Sequence, residues 1–362
     1  MELTVKEVEI LSLIALCGDY PTELIGLIKG NSMSWTYSTI KELQQKKLIK
    51  RYKKDGEASL RLTQKGGQQL LIYDPTRFTE YIKRMTRYRQ SAPQRRQRIH
   101  DIAVAKVMAY NAGLMVFPDQ KPAIFQQPDS GMDYEFQKAC FYDSFEIKAQ
   151  YDEMVKVKST RAVGIILAKD AAYIVYSVGA RIIKWTSTSE RKLSSIMEGT
   201  LLNWQIQYDS WEAIMIGQDY ETAYKQLTAD GGYRNIYFRL DQTYLAFYFV
   251  PDNDVGELLL RLICDAKADK RIKQYLMHRF ALETVNNDTI FGCDAKKGDA
   301  FVLFAYEFDM EKIKQYKAGL EQFEEKGLII CLEEQQAVLA RYFDGLAEIQ
   351  TIPLELIEKA LV

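Results

Sequence analysis

The chain has 362 residues, 47% of them hydrophobic, enough to bury ordinary cores and long enough for two or three domains. Its five cysteines, Cys17, Cys140, Cys264, Cys293 and Cys331, are scattered without paired spacing, which argues against a disulfide framework or a structural zinc site. The formal net charge of −1 hides an asymmetry, because residues 1–100 carry 19 Lys and Arg against 10 Asp and Glu, and the remainder 29 against 39.

A basic module joined to an acidic body is the charge pattern of a local nucleic-acid footprint, since neutralising phosphates with Lys and Arg supplies most non-specific affinity. Met1-Glu2-Leu3-Thr4 starts neither a signal peptide nor a membrane span, so a cytoplasmic chain without a membrane partner is expected. Thr4-Val5-Lys6-Glu7 has the spacing of a capping box, and the helix it opens buries Val8, Leu11, Ile14 and Ala15 before Gly18-Asp19 stops it. Pro21 opens a second helix through Leu24, Ile25 and Ile28, and Gly30-Asn31 is the turn. Ser32 or Ser34 caps a third, with Ile40 and Leu43 on its buried face. Leu48 and Ile49 begin a strand, Asp55-Gly56 supplies a tight hairpin turn, and Leu60-Arg61-Leu62 returns. Thr63 caps the next helix.

Three helices, a hairpin and a further helix form the winged helix-turn-helix order, and the runs Thr39–Arg51 and Leu62–Gly66 resemble that family. One departure is Lys47, where many members carry Gly at the helix end. The resemblance implies that the exposed face of the third helix, Ser34, Thr36, Tyr37, Thr39 and Lys41, enters the major groove of duplex DNA. Lys53, Lys54 and Arg61 would then hold phosphates. Trp35 and Tyr37 fit either core packing or contact.

Residues 77–98 form a second basic block, Arg77, Lys83, Arg84, Arg87, Arg89, Arg95, Arg96 and Arg98 against Glu80 alone, interleaved with Phe78, Tyr81, Met85 and Tyr88. It reads as a helix and linker that extends the DNA contact, grips an acidic partner or the acidic body, or merely stays solvated. Ser91-Ala92-Pro93 breaks it, and from Ile99 an apolar helical pattern opens a new domain. A winged helix, a basic connector, a helix beginning His100-x-x-Ala-Val-Ala and a strand with Glu-x-Lys together resemble the replication-relaxation family of bacterial mobile elements, loosely over residues 1–150. That resemblance implies an accessory role in plasmid replication or in the nicking complex of conjugation, with a relaxase or replication protein as partner.

Phe141–Lys148 alternates as a strand, with Tyr142, Ser144, Glu146 and Lys148 on one face. Asp129 or Asp133 with Glu146 and Lys148 resembles the acid-then-Glu-x-Lys arrangement of restriction-type nuclease cores, where carboxylates hold Mg²⁺ and a lysine activates water. A same-face ion pair on a scaffold kept without activity accounts for the same residues. Val163–Ala168 and Tyr173–Ser177 continue the sheet as a hairpin, and a helix begins at Ser189, which with Glu190 suits a helix start. Beyond Leu201, strands are expected at Trp211–Ile216, Tyr237–Leu240, Tyr244–Val250, Phe301–Tyr306 and Leu328–Cys331. Helices are expected at Tyr220–Leu227, Gly256–Cys264, Lys267–Phe280 and Met310–Lys326, an alternation that favours parallel strands. No glycine-rich phosphate loop appears, and His100 and His278 lack a metal-ligand pattern, so neither a cofactor nor a metal is expected. The tyrosines between 233 and 248 fit half-buried sheet packing better than base stacking.

The fold class expected is therefore mixed α/β: a winged helix-turn-helix at 1–75, a basic helix and linker at 76–98, an α/β domain resembling a nuclease core but inactive at 99–200, and a C-terminal α/β domain at 201–362. The function expected is a duplex-DNA-binding accessory factor for replication or transfer of a plasmid or integrative element. The rivals are a transcriptional regulator and a Mg²⁺-dependent endonuclease using Asp133, Glu146 and Lys148. Dimerisation is expected of a winged-helix protein, although no segment encodes it.

Overall fold

A computed structural model describes residues 3–29, 32–88, 92–125, 135–149, 160–285 and 292–362, so the expected turn at Gly30-Asn31 and the basic residue Arg89 lie outside the described residues. Helix α1 (Val5–Cys17) starts at its capping box, in which the Thr4 amide donates to Glu7 Oε2 (2.9 Å) and the Glu7 amide to Thr4 Oγ1 (3.3 Å). It is buried nearly all round, because later helices enclose it. The segment expected to open a second helix is instead an edge strand, β1 (Tyr20–Pro21), and a 3-10 turn, Thr22–Leu27. Pro21 has no N–H for an inner ladder and sits at the sheet edge, paired only with β3 (Glu57–Leu62).

Ser32 caps α2 (Met33–Gln45), accepting from the Trp35 amide (3.3 Å). The helix ends with Lys47 left-handed (φ 58°) and the Leu48 amide on the Leu43 carbonyl (2.9 Å), the closing geometry that glycine usually supplies. Strand β2 (Ile49–Lys54) turns into β3 through Asp55 (φ 53°) and Gly56 (φ 85°), a two-residue turn with both central residues left-handed. Then Thr63 Oγ1 accepts from the Gly66 amide (3.0 Å) to start α3 (Gln64–Tyr73).

Gly66 is fixed by proximity: a Cβ there would lie 2.1 Å from the Leu48 carbonyl oxygen, which itself accepts from the Thr63 amide. Gly66→Ala is expected to lower stability in urea unfolding by about 3 kcal/mol, since backbone has to move aside. Gly67→Ala meets side-chain atoms, those of Ile82 (3.1 Å) and Met85 (3.7 Å), and is expected to stay within about 1 kcal/mol of the parent.

Helices α4 (Pro75–Tyr88) and α5 (Pro93–Asn111) follow. The expected boundary at Ile99 falls inside α5, whose helix starts with Pro93 in the first turn. Strand β4 (Cys140–Asp143) is shorter than the expected Phe141–Lys148, because the chain turns into α6 (Ser144–Ala149). Next come β5 (Gly164–Leu167), β6 (Ala172–Gly179), α7 (Ser187–Leu202), β7 (Trp211–Gly217), α8 (Tyr220–Leu227), β8 (Phe247–Pro251) and α9 (Asp254–Ile263). Tyr237–Leu240 is not a strand but touches Lys184 through an isolated bridge at Tyr237. The chain ends with α10 (Ala266–Arg279), β9 (Glu283–Thr284), β10 (Ala295–Lys297), β11 (Ala300–Phe304), α11 (Met310–Phe323), β12 (Gly327–Leu332), α12 (Glu333–Phe343), β13 (Ala347–Ile352) and α13 (Glu355–Ala360).

The fold is mixed α/β with three sheets, and the two larger ones repeat one plan. In the order β4-β5-β6-β7-β8 the first three strands run antiparallel and the last three parallel, and β9-β10-β11-β12-β13 does the same. Each sheet is preceded by a helix (α5, α10), crosses over by helices between its parallel strands (α7 and α8; α11 and α12) and is followed by one (α9, α13). The equivalent helices α8 and α12 meet, through Arg341 on Glu221 (2.7 Å) and over the Tyr224 ring. One buried core extends from Leu11 and Leu43 through Val107 and Met108 of α5 to Ile214 and Leu260, and a second lies within the larger sheets. Among the described residues, no helix is long and apolar enough to cross a membrane.

Candidate nucleic-acid interface

On α2 Ser34, Tyr37 and Lys41 are exposed, as are Met33, Trp35, Ser38, Glu42 and Gln45. Trp35 and Tyr37 are 38% and 53% exposed, so neither is core packing. Thr36 and Thr39 depart from expectation, since both are buried and their hydroxyls donate to the carbonyls of Ser32 (3.2 Å) and Trp35 (3.1 Å). Residues 36, 39, 40 and 43 make one helical stripe, and a threonine can join it because its hydroxyl is satisfied by its own helix. That stripe was readable from Ile40 and Leu43.

The hairpin has two unlike faces. Ile49, Arg51 and Lys53 lie opposite Leu62, Leu60 and Ala58, so this face is core at its base and reaches solvent at Arg51 and Lys53. Neither cation has a carboxylate partner among the described residues. Lys50, Tyr52 and Lys54 lie opposite Arg61, Ser59 and Glu57 on the other face, which Arg96 of α5 covers toward the tip while Lys50 stays exposed at the base. Lys54 is half-buried and its carbonyl accepts from Arg96 Nη1 (2.9 Å).

Arg61, expected on phosphate, is 6% exposed and belongs to a buried network instead. Its Nε and Nη2 donate to the two Asp19 oxygens (2.7 and 2.9 Å), while Arg96 Nε (3.3 Å) and His100 Nε2 (3.2 Å) approach Asp19 Oδ2. Burial alone would raise the Asp19 carboxyl; hydrogen bonds from Arg61, His100 and Ser59 outweigh it and hold the pKa well below the usual range. The winged-helix resemblance put Arg61 on a phosphate, but β3 is the central strand and its second face is roofed by α5. Part of the basic block is likewise used internally, while Lys83 and Arg95 stay exposed. Arg77 binds Asp119 (2.7 Å), Phe78 and Tyr81 are buried, and Arg98 donates to the carbonyls of Arg161 (2.7 Å) and Ala162.

Glu146 and Lys148 stand on α6 rather than on a strand face. Asp143 is the cap: its Oδ1 accepts from the Phe145 (2.7 Å) and Glu146 (2.8 Å) amides, and Glu146 Oε2 accepts in return from the Asp143 amide (2.9 Å). Asp143-x-x-Glu146 is a capping box like Thr4-x-x-Glu7, a signal present in the sequence that stops the strand. Lys121 pairs with Glu146 (2.9 Å), and the buried Lys106 with Asp143 (2.5 Å). Burial opposes ionisation of Asp143, but Lys106 overrides it and the carboxyl pKa is lowered. Lys148 is exposed, and partial desolvation, then the Arg98 guanidinium, lower its ammonium pKa. Asp129 and Asp133 lie outside the described residues, and among those described no three His, Cys, Asp or Glu side chains gather to hold a metal.

Comparisons with protein-family models, curated proteins and solved structures give no match.

Proposed function

We propose that the chain binds duplex DNA through α2 and the β2–β3 hairpin as a winged helix, and serves as an accessory factor for replication or transfer of a plasmid or integrative element. The observation that carries the DNA reading is the pairing of two solvent faces: Ser34, Trp35, Tyr37, Ser38 and Lys41 on α2, and Arg51 and Lys53 on the hairpin. Hydroxyls, an ammonium and a phenol are the groups that read base edges, whereas unpaired cations on a projecting hairpin suit phosphates. The resemblance of residues 1–150 to the replication-relaxation family supports the accessory role, with a relaxase or replication protein as partner of the α/β body.

Replacing Arg51 and Lys53 with alanine is expected to weaken binding alike on all sequences and to flatten the dependence of log K on log salt by up to about two units, roughly 0.9 per phosphate lost. An unchanged slope removes the hairpin from the contact. Genome-wide footprints beside a replication or transfer origin support the accessory role; footprints at promoters favour a transcriptional regulator instead.

A further inference from the structure

Beside the hairpin tip, between the start of α5 and the β6–α7 connection, lies a cleft of about 610 Å³. Its basic lining is Arg96, Arg98, Arg161, Arg181 and Lys184, and Tyr237 also faces it. Arg181 is balanced by Asp101 (2.7 Å), and Glu57, on the hairpin side, lies near Arg96 (3.8 Å) and His100 (3.5 Å). Among the described residues, the Arg161 and Lys184 side chains are exposed and have no carboxylate partner, although the Arg161 amide donates to Glu190 Oε1 (3.0 Å).

The aromatic lining of the cleft is Tyr237, from the loop 231–237, which carries Tyr233 beyond the lining itself. Tyr233 is 78% and Tyr237 39% exposed, whereas Tyr244 is buried in the core. Four residues of this loop, Gly231, Gly232, Arg234 and Asn235, have positive φ (90°, 59°, 62° and 52°). For the arginine and the asparagine that conformation is strained, and it is held by specific bonds. The Gly232 amide donates to Asp230 Oδ1 (2.8 Å), the Tyr237 amide to the Gly231 carbonyl (3.0 Å), and the Trp185 amide to the Ile236 carbonyl (3.0 Å). The loop is thereby pinned to residues 183–185, next to Lys184, with tyrosines turned outward.

We propose that this cleft binds a single DNA strand, with phosphates on Arg161 and Lys184, an unpaired base against Tyr237 and the next, past the edge of the cleft, against the exposed Tyr233. Cations that follow a backbone and rigid aromatic faces that accept any base are the two requirements for holding unpaired nucleic acid. The volume falls in the range of about 300–1,000 Å³ that small ligands fill, room for a short piece of one strand but not for a duplex. Asp55 and Glu57 of the hairpin line the same cleft, so a strand parted from a duplex held by the hairpin has only to pass its tip. The inference shares the DNA-binding reading above but stands on different residues.

The test uses the full chain, a fluorescent oligothymidylate of about 12 nucleotides and a duplex of about 20 base pairs, followed by anisotropy. Arg161→Glu with Lys184→Glu is expected to weaken oligothymidylate binding at least tenfold, about 1.4 kcal/mol, and duplex binding less than twofold. Tyr233→Ala with Tyr237→Ala is expected to cost the single strand about tenfold, and Tyr233→Phe with Tyr237→Phe to restore it. All four positions are exposed, and unchanged melting confirms that the variants fold. Absence of saturable oligothymidylate binding by the parent chain, or parallel loss of both probes in the Arg161/Lys184 variant, overturns the proposal. If Arg51→Ala with Lys53→Ala leaves duplex binding intact while the cleft variant loses oligothymidylate, the hairpin reading fails and the cleft stands.

Discussion

Asp19→Asn is expected to destabilise the protein by about 3–5 kcal/mol, the cost of leaving buried charge without its counter-ion. Asp19 is fully buried, and Arg61 and Arg96, both nearly so, point their guanidinium groups at it. Asparagine keeps the shape but replaces one acceptor oxygen with a donor and removes the negative charge, so the Arg61 fork can no longer be met at both nitrogens. Tyr52 is affected as well, because the Arg61 and Arg96 guanidinium carbons lie 3.6 and 5.0 Å from its ring centre. The hairpin should loosen before the helices do, with faster amide exchange in β2 and β3 than in α1. The pH dependence has a definite sign. A carboxyl held below its ordinary pKa contributes stability above the ordinary carboxylate range, near pH 4, and that stability is lost as the pH falls further. The parent chain should therefore lose stability steeply in acid and the Asp19→Asn variant less so; equal acid slopes in urea unfolding would show that Asp19 is not the group responsible.

What was legible in the sequence was local. The Thr4 capping box, the Thr63 cap, the Asp55-Gly56 turn and the α8 span depend on neighbours within a few residues, and each occurs where it was expected. Arg61 was misread because its environment is set by Arg96 and His100, more than thirty residues away on α5. Thr36 and Thr39 were misread by taking a polar side chain for an exposed one. The repeated sheet plan was missed for another reason. The two units share spacing rather than identity, such as a buried strand, a crossover helix and Asp-Gly at 230–231 and 344–345, and only strand pairing reveals that spacing as a repeat.

Lys106→Met is expected to cost about 3–5 kcal/mol as well, and the way it combines with a change at Asp143 separates scaffold from catalytic site. Lys106 Nζ joins three elements: it pairs with Asp143 at the end of β4 and donates to the Leu16 carbonyl (2.8 Å) near the end of α1. Removing the ammonium leaves a buried carboxylate that still caps α6, and an unmet carbonyl on α1. Asp143→Asn keeps an oxygen for the Phe145 and Glu146 amides but leaves Lys106 charged. In the double variant neither orphan charge remains, so its cost should fall short of the sum of the single costs by about 2–3 kcal/mol. Additive losses would mean that the pair is not a coupled unit. Because α5 carries both Lys106 and the Arg96 that roofs the hairpin, the single lysine change should also raise amide exchange at the end of α1 and in β4 together, while oligonucleotide affinity follows only the fraction folded. A cleavage activity abolished by Lys106→Met in protein that remains folded would instead make the pair part of a cleaving site, on other residues than the expected Asp133, Glu146 and Lys148.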